Sequence, residues 1–298
     1  MSSTCSALEI LFLIAGVAWS AAPKEPMPIW PNGAPGDAGA GGAEHDTTKP
    51  TDNLVGGKRL IRLGNVSTPT LTFYPAPEAR NTGAAVVVFP GGGYSILALD
   101  LEGTEVCGWL NSVGVNCALL KYRVPVRQGR QRYAAPLEDA QRAIGIVRSR
   151  AEEWKLDPHR IGVLGFSAGG HLAAVVSTNF DKRTYEAIDA ADQVSCRPDF
   201  TVLIYPAYLT TPDLKSLAPE ISVRADTPPA FLVQTEDDGV HVECSLVYYK
   251  ALKEAKVPVE MHLFPVGGHG YGLRPSAAKV TTWPQLAAQW MTSRGLLK

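Results

Sequence analysis

The sequence predicts an α/β fold in which helices cover both faces of a mostly parallel central sheet. From residue 84 onward, short apolar runs alternate with longer stretches of helical periodicity. Glycine-rich and acidic loops directly follow several of the apolar runs. Alternation of this kind is typical of parallel sheets, where ligands bind at the carboxyl ends of the strands. We therefore expect the functional residues at that edge of the sheet.

Length and composition narrow the class of protein. The chain has 298 residues, 45% of them hydrophobic, which is enough for one large α/β domain or two smaller ones. No internal repeat or charge run indicates a second domain. The net charge of −1 offers no basic surface for nucleic acid or an anionic membrane. Near neutrality is compatible with an uncharged substrate.

Residues 1–22 are predicted to be a signal peptide. The apolar run Ile10–Ala18 is short for a bilayer span, and small residues at Ser20–Ala22 suit cleavage. We expect export to the periplasm or the extracellular space. No Lys or Arg precedes the run and Glu9 lies at its edge, so a disordered leader and a membrane-tethering helix are the alternatives.

An irregular arm, rich in Pro and Gly, is predicted for residues 23–57, followed by a single α/β domain at 58–298. Trp30 is expected to pack the arm onto this domain. Leu60–Leu63 and Thr70–Tyr74 alternate apolar and polar residues, which predicts an antiparallel hairpin at the entry to the sheet.

The elements of the sheet are predicted from their hydrophobic patterns. Helices are expected near Glu102–Val113 and from Pro136 onward, where apolar residues recur at helical spacing. Cys107 and Cys117 are expected as buried free thiols, although export would permit disulfides. The remaining predicted strands are short apolar runs at residues 85–89, 116–121, 161–164, 200–205, 230–235 and 260–264.

A candidate nucleophile lies between the strand at 161–164 and the helix after it. Gly165-Phe166-Ser167-Ala168-Gly169 matches G-x-S-x-G, in which a serine at the tip of a tight turn needs neighbours without bulk. The turn would expose the Ser167 hydroxyl near the positive end of the following helix. A glycine-rich turn without chemistry is the alternative for the pentapeptide alone.

A second loop, Pro90-Gly91-Gly92-Gly93-Tyr94, directly follows an apolar strand. Glycines let backbone N–H groups approach a ligand oxygen closely. We expect an oxyanion hole in which the N–H of Gly92 or Gly93 acts together with that of Ala168. A phosphate-binding loop is the alternative, but the G-K-[ST] ending is missing.

The acid and the base of a triad are predicted in two further loops. Asp237 and Asp238 follow the strand at 230–235, and counting into the next helix favours Asp237, with Asp238 as the alternative. His269 lies in a glycine-rich loop after the last strand, which completes the order Ser, Asp, His. His171 is expected to pack locally. No histidine has the spacing of a metal site, so no metal is expected.

The chain resembles α/β-hydrolases of the bifunctional feruloyl and acetyl-xylan esterase (BD-FAE-like) group, and is similar to exported bacterial acetyl-xylan-esterase-like proteins. The resemblance covers about residue 28 to the end. It is carried by Trp30–Gly36, Val88–Tyr94, Leu120–Arg123, Ala135–Ala143, Gly165–Leu172 and Gly267–Gly272.

The resemblance implies an α/β-hydrolase fold and a secreted serine esterase that needs no cofactor. Ser167 would be the nucleophile and His269 the base. The acidic loop also resembles that of dipeptidyl peptidases of the prolyl oligopeptidase group, where the first Asp serves, which supports Asp237. The implied substrate is an ester of a plant-type polysaccharide or oligosaccharide.

Substrate specificity is the least determined part of the prediction. Five tyrosines lie next to the candidate site loops and could bind a sugar or an aromatic acyl group or pack in the core: Tyr94, Tyr122, Tyr205, Tyr208 and Tyr271. Tyr94 and Tyr271 are the candidate substrate-binding residues among them, and Leu209–Pro228 is the best candidate for the rim of the site. A serine peptidase of the same fold and a general small-ester carboxylesterase remain alternatives. The composition and motifs indicate no nucleic-acid or membrane partner beyond the leader.

Overall fold

A computed structural model of the protein describes residues 22–36, 39 and 41–297. The predicted leader, residues 1–22, therefore lies outside the described residues except for Ala22. Within the described ranges, no helix is both long and apolar enough to cross a membrane.

The described residues form eleven strands and five α-helices. The strands are β1 (Met27–Pro28), β2 (His45–Asp46), β3 (Arg62–Gly64), β4 (Thr70–Tyr74), β5 (Ala85–Phe89), β6 (Ile96–Ala98), β7 (Asn116–Lys121), β8 (Ile161–Phe166), β9 (Thr201–Ile204), β10 (Ala230–Thr235) and β11 (Val259–Phe264). The helices are α1 (Glu105–Ser112), α2 (Ala134–Ser149), α3 (Ser167–Thr178), α4 (Glu243–Glu254) and α5 (Trp283–Ser293).

The main sheet has eight strands in the order β1-β4-β7-β5-β8-β9-β10-β11. Six neighbouring strands, β7-β5-β8-β9-β10-β11, are parallel. Strands β4 and β1 extend the sheet beyond β7 in antiparallel pairings. The mostly parallel sheet predicted from the sequence is confirmed. Because the parallel strands point the same way, the loops after β5, β8, β10 and β11 meet at one edge of the sheet.

Both faces of this sheet are covered, which explains why its central strands are apolar throughout. All residues of β5 are buried, with Val87 packed in one hydrophobic core and Val86 and Val88 in the other. The first core includes residues of α2, α3 and α4, and the second includes residues of α1 and α5. Alternate residues of a strand point to opposite faces, so one short run supplies two cores.

The predicted hairpin of Leu60–Leu63 with Thr70–Tyr74 is wrong. Strand β3 pairs with β2 and β6 in a separate three-stranded sheet, whereas β4 pairs with β7 and β1 in the main sheet. Asn65 has a left-handed backbone, with φ of 57°, directly after β3, so the chain turns away before it enters the main sheet. Both segments alternate as predicted, but alternation does not specify the partner strand.

The arm at residues 23–57 contributes directly to the main sheet and its core. Strand β1 pairs with β4, and the next residue, Ile29, is fully buried. Trp30 is also buried, and its Nε1–H donates to Asp139 Oδ1 at 2.7 Å. The packing role expected for Trp30 is confirmed, while the start of the arm is more regular than its composition indicates.

Helix α1 is attached to β7 by a disulfide between Cys107 and Cys117. The expectation that these two residues are free thiols is wrong, since a helix packed on the neighbouring strand brings the two Cα atoms to 5.2 Å. Cys196 and Cys244 are buried and free. One turn of π-helix, Asp100–Thr104, precedes α1 and contains the buried Glu102.

Candidate active site

Ser167 lies at the turn between β8 and α3, as the motif predicts. Its φ is 51°, a left-handed conformation that side chains rarely adopt and that is strained here by the sharp turn. A Cβ on Gly165 would overlap the carbonyl oxygen of Gly169, and a Cβ on Gly169 would overlap that of Phe89. The two glycines of the motif are therefore needed for the turn to close over the sheet.

Ser167, His269 and Asp238 form a continuous hydrogen-bonded chain. The Ser167 Oγ–His269 Nε2 distance is 2.8 Å, and the His269 Nδ1–Asp238 Oδ2 distance is 2.9 Å. A carboxylate can only accept, so Nδ1 carries the proton and Nε2 is left to accept from the serine hydroxyl. This tautomer is the one that a general base requires.

The carboxylate of Asp238 is buried and fixed on both oxygens. Its Oδ1 accepts from the Val240 N–H at 2.8 Å, and its Oδ2 accepts from Gln234 Nε2 at 2.8 Å as well as from His269. Gln234 is itself oriented by Ser245, whose hydroxyl donates to Gln234 Oε1. These bonds leave the carboxylate one orientation, directed at the imidazole.

The preference for Asp237 as the acid is corrected by this geometry, because Asp237 does not contact the imidazole. Its exposed carboxylate accepts from the backbone N–H groups of Gly267 and Gly268, at 3.1 and 2.8 Å. The N–H groups of Gly268 and Gly267 lower the pKa of Asp237. The first acid thus holds the backbone of the histidine loop, and the second holds the histidine.

The glycine-rich loop after β5 lies against the nucleophile turn. A Cβ on Gly91 would contact the Cβ of Ser167 at 2.9 Å. Gly92 has φ of 132°, and a Cβ there would overlap the carbonyl oxygen of Ile96. Among the described residues no acceptor is bonded to the N–H of Gly92 or Gly93.

Ala168 is the second residue of α3, in the first turn, where backbone N–H groups have no acceptor within the helix. The loop at Gly91 and the first turn of α3 both lie next to Ser167, and their N–H groups at Gly92, Gly93 and Ala168 have no acceptor among the described residues. Free backbone donors next to a nucleophile are what an oxyanion hole requires.

The two tyrosines predicted to bind substrate are buried instead. Tyr94 is 0% exposed, and its Oη lies 2.8 Å from Nδ1 of His171, whose Nε2 lies 3.2 Å from Glu220 Oε1. Burial lowers the pKa of His171, so the neutral ring donates from Nε2 to Glu220 and accepts from Tyr94. Tyr271 is 6% exposed, and its ring packs on Tyr205.

Tyr205 lies next to the site loops, as expected, whereas Glu102 is a residue of the site that the sequence does not predict. Glu102 Oε2 accepts from the Gly91 N–H at 2.6 Å, and its Oε1 accepts from Tyr205 Oη at 2.7 Å. The ring of Tyr205 packs on the ring of His269, with centroids 4.8 Å apart. In the sequence Glu102 is only the first residue of a predicted helix and has no motif of its own, so the contacts in the folded protein identify it.

A cavity of about 620 Å³ has Gly239 and Val240, the two residues after Asp238, in its wall. Tyr208 lies at its inner end, since its Oη is 3.8 Å from where a Cβ on Gly93 would be. The guanidinium of Arg132 lies over the Tyr208 ring, 4.4 Å from its centroid, and forms no ion pair with any described residue. The wall of the cavity includes Arg132, Tyr208, Thr210, Glu220, Val240 and His241.

This cavity lies where the sequence predicts the rim of the site, because Tyr208–Glu220 supplies much of the wall. No group of three or more His, Cys, Asp or Glu residues within the described ranges could hold a metal ion. The side chains that meet here are those of nucleophilic and general acid–base chemistry.

Comparison with known proteins agrees with this geometry. The family described as alpha/beta hydrolase fold matches residues 86–226. A solved structure of an acetyl ester-xyloside bifunctional hydrolase from Caldicellulosiruptor lactoaceticus is 35% identical, with a TM-score of 0.72. The alignment covers 92% of this chain and 97% of that one.

Two curated relatives are similar over part of their length. An acetylxylan esterase from Xylanibacter ruminicola is 31% identical over 64% of this chain and 42% of that protein. Endo-1,4-beta-xylanase B from Butyrivibrio fibrisolvens is 32% identical over 62% of this chain and 32% of that protein. The chain therefore spans less than half the length of these two relatives.

Proposed function

Because the chain belongs to the α/β-hydrolase family, we propose that it is a serine hydrolase of carboxylic esters. Ser167 is the nucleophile, His269 the general base and Asp238 the acid that orients the imidazole. The observation that carries this proposal is the unbroken chain of hydrogen bonds from Ser167 Oγ through His269 to Asp238. The supporting observation is that the loop of Gly91 contacts Ser167 and that the next two N–H groups, of Gly92 and Gly93, have no acceptor among the described residues.

The geometry supports the following reaction. As Ser167 Oγ attacks the ester carbonyl carbon, His269 Nε2 takes the hydroxyl proton and the imidazolium is stabilised by Asp238. The carbonyl oxygen becomes an oxyanion, which accepts from Ala168 and from Gly92 or Gly93. His269 then returns the proton to the leaving alcohol as the tetrahedral intermediate collapses to an acyl-enzyme. Water attacks this acyl group by the same sequence and regenerates the free serine.

The proposed substrate is an acetylated or otherwise acylated plant-type polysaccharide or oligosaccharide. Three of the similar proteins are named as an acetylxylan esterase, an endo-1,4-beta-xylanase and an acetyl ester-xyloside bifunctional hydrolase. The cavity lined by Val240 and Tyr208 combines the donor groups of Arg132 with the acceptor oxygens of Glu220 and the hydroxyl of Thr210. Opposite charges on Arg132 and Glu220 suit a polyhydroxylated, uncharged alcohol, because hydroxyls both donate and accept.

We further propose that the protein is exported and acts in the periplasm or outside the cell. The apolar segment and small residues of 1–22 support this. The disulfide between Cys107 and Cys117 also supports it, since such bonds persist mainly in oxidising compartments. Detection of the protein with a mature N-terminus near residues 20–22 in an extracytoplasmic fraction would test export.

The activity is tested by release of acetate from acetylated xylan and acetylated xylo-oligosaccharides, measured beside methyl ferulate, 4-nitrophenyl acetate and a dipeptide amide. We expect acetate release by the wild type and none by Ser167→Ala. Cleavage of 4-nitrophenyl acetate alone would indicate a general small-ester carboxylesterase, and cleavage of the amide would indicate a peptidase. The enzyme proposal fails if no substrate is cleaved and an organophosphonate probe does not label Ser167.

A further inference from the structure

We propose that Glu102 is a positioning residue that fixes the oxyanion loop and the histidine loop at the same time. This inference rests on the proposed esterase function. One oxygen of its carboxylate holds the loop that follows β5, and the other accepts from Tyr205, which in turn holds the loop that follows β11. Glu102 touches neither substrate nor the reacting atoms, so it acts through the backbone of both loops.

The contact with the oxyanion loop is direct. Oε2 of Glu102 accepts from the Gly91 N–H at 2.6 Å, and both residues are buried. Gly91 comes just before Gly92 and Gly93, whose N–H groups are the proposed oxyanion donors. The bond fixes the peptide of Gly91 and with it the direction in which the next two peptides present their N–H groups.

The contact with the histidine loop passes through Tyr205. Tyr205 Oη donates to Glu102 Oε1 at 2.7 Å and accepts from the Gly272 N–H at 3.1 Å. Gly272 lies three residues after His269 in the same loop. The Tyr205 ring also packs on the imidazole, so the hydroxyl bond and the ring contact fix the loop from the same side.

Because both partners donate, the side chain of residue 102 must accept a hydrogen bond at each of its two terminal atoms. The Gly91 N–H can only donate, and Tyr205 Oη, which already accepts from Gly272, donates its own proton. No Lys or Arg of the described residues forms an ion pair with Glu102. An amide at this position would turn its NH₂ group toward one of the two donors, which would displace one loop.

The test compares Glu102→Gln and Tyr205→Phe with the wild type. A matched control is Asp139→Asn, another fully buried carboxylate, which accepts from Arg123 and Trp30 instead of from the active-site loops. Active sites are counted with an organophosphonate, and kcat per titrated site and KM are measured with 4-nitrophenyl acetate. Inhibition by a trifluoromethyl ketone reports on the oxyanion hole, because its adduct places an oxyanion there.

We expect Glu102→Gln to lower kcat per titrated site about 100-fold, as small displacements of reacting groups do. KM should change by less than about twofold, because the substrate contacts remain. The trifluoromethyl ketone should bind more weakly by a similar factor to the loss in kcat. Tyr205→Phe should lower kcat by about tenfold, and the double variant should lose less than the product of the two, because both act in one network.

Asp139→Asn should lower thermal stability while it leaves kcat per titrated site within about twofold of the wild type. The positioning role is overturned if Glu102→Gln and Tyr205→Phe lose only stability or the number of titratable sites, as Asp139→Asn does. If Glu102→Gln does not fold, Tyr205→Phe decides the question, because it removes one oxygen atom. An inactive wild type would instead overturn the esterase function on which the inference rests.

Discussion

Asp237 and Asp238 are consecutive residues, yet their carboxylates hold different parts of one loop. Asp238 contacts the His269 ring, whereas Asp237 binds the backbone N–H groups of Gly267 and Gly268, which directly precede that histidine. The side chain of Asp238 is buried below the loop, and that of Asp237 is exposed beside it. One strand end therefore fixes both the position of the histidine loop and the orientation of its imidazole.

This division of roles predicts different effects for the two acids. Asp238→Asn should lower kcat by about 10⁴, because the amide favours the wrong tautomer of His269. Asp237→Asn keeps one oxygen acceptor for the loop and should lower kcat by roughly tenfold or less. Steady-state kinetics with 4-nitrophenyl acetate would check both values. Equal losses in the two variants would contradict the assignment.

A substitution at Gly92 should damage both the loop and catalysis. Gly92→Ala would place a Cβ on the carbonyl oxygen of Ile96, so the loop must move and its N–H groups move with it. We expect kcat to fall by at least about 100-fold. Gly129→Ala is a matched control, since Gly129 also has a positive φ but no atom lies within 4 Å of the place where its Cβ would be.

Gly129→Ala should lower the free energy of unfolding by only about 1 kcal/mol, because alanine is strained at a positive φ. It should keep the wild-type kcat. Activity assays and chemical denaturation of both variants separate the two effects. Full activity in Gly92→Ala would show that this peptide is not part of the oxyanion hole.

Arg132 offers a test of the proposed sugar-binding cavity. Arg132→Ala should raise KM for acetylated xylo-oligosaccharides about tenfold through loss of hydrogen bonds to the sugar. Hydrolysis of 4-nitrophenyl acetate should change by less than about twofold, because that ester is too small to need the cavity. Arg130→Ala is the control, since Arg130 binds Glu138 instead of lining the cavity. Equal effects of Arg132→Ala on both substrates would argue against the assignment.

The burial of His171 predicts a loss of stability at mildly acidic pH. Burial lowers the pKa of His171, so the unfolded chain binds the proton more readily than the folded protein does. The contribution of His171 to the free energy of unfolding is complete above about pH 6.5, the pKa of this side chain in the unfolded chain. It is lost as the pH falls toward the lower pKa that the side chain has in the folded protein. The nearest charged groups are Glu220 and Arg132, which oppose each other at the ring.

Denaturation between pH 7.5 and 5 would measure this effect. The free energy of unfolding of the wild type should fall by up to about 1.4 kcal/mol per pH unit from this group. His171→Gln should be less stable than the wild type at pH 7.5, and the difference should narrow toward pH 5. A constant difference over this range would contradict a neutral buried imidazole.

The disulfide predicts a stability that depends on redox state. Replacing both Cys107 and Cys117 by Ala should lower the free energy of unfolding by about 3 kcal/mol, the value for a loop of this length. The activity should remain, because the bond joins α1 to β7 away from the triad. Alkylation of the denatured protein should label Cys196 and Cys244 at once, and Cys107 and Cys117 only after reduction.

The parts of the fold that the sequence predicts are those in which one local pattern decides the outcome. Ala85–Phe89 is apolar throughout because both faces of its strand are covered, and its bounds are confirmed. Strand β3 shows a similar alternation to β4, but its partners β2 and β6 are two and three residues long and carry no pattern of their own. Pairing between such segments depends on the whole chain.

The site divides in the same way. Ser167 and His269 follow from turn geometry and chain order, which are local. The choice between Asp237 and Asp238 depends on which of two successive side chains turns below the loop, and no residue type specifies that. No local pattern predicts the role of Glu102, because its hydrogen-bond partner Tyr205 lies 103 residues away in the sequence.

Strand β1 closes one edge of the main sheet with only Met27 and Pro28. An uncovered β4 would present a row of free backbone groups to any extended chain in solution. Proline lacks an N–H and cannot extend a ladder further, so β1 also ends the sheet. A protein shortened past Trp30 would therefore lose the cover of this sheet edge as well as the packing of Trp30.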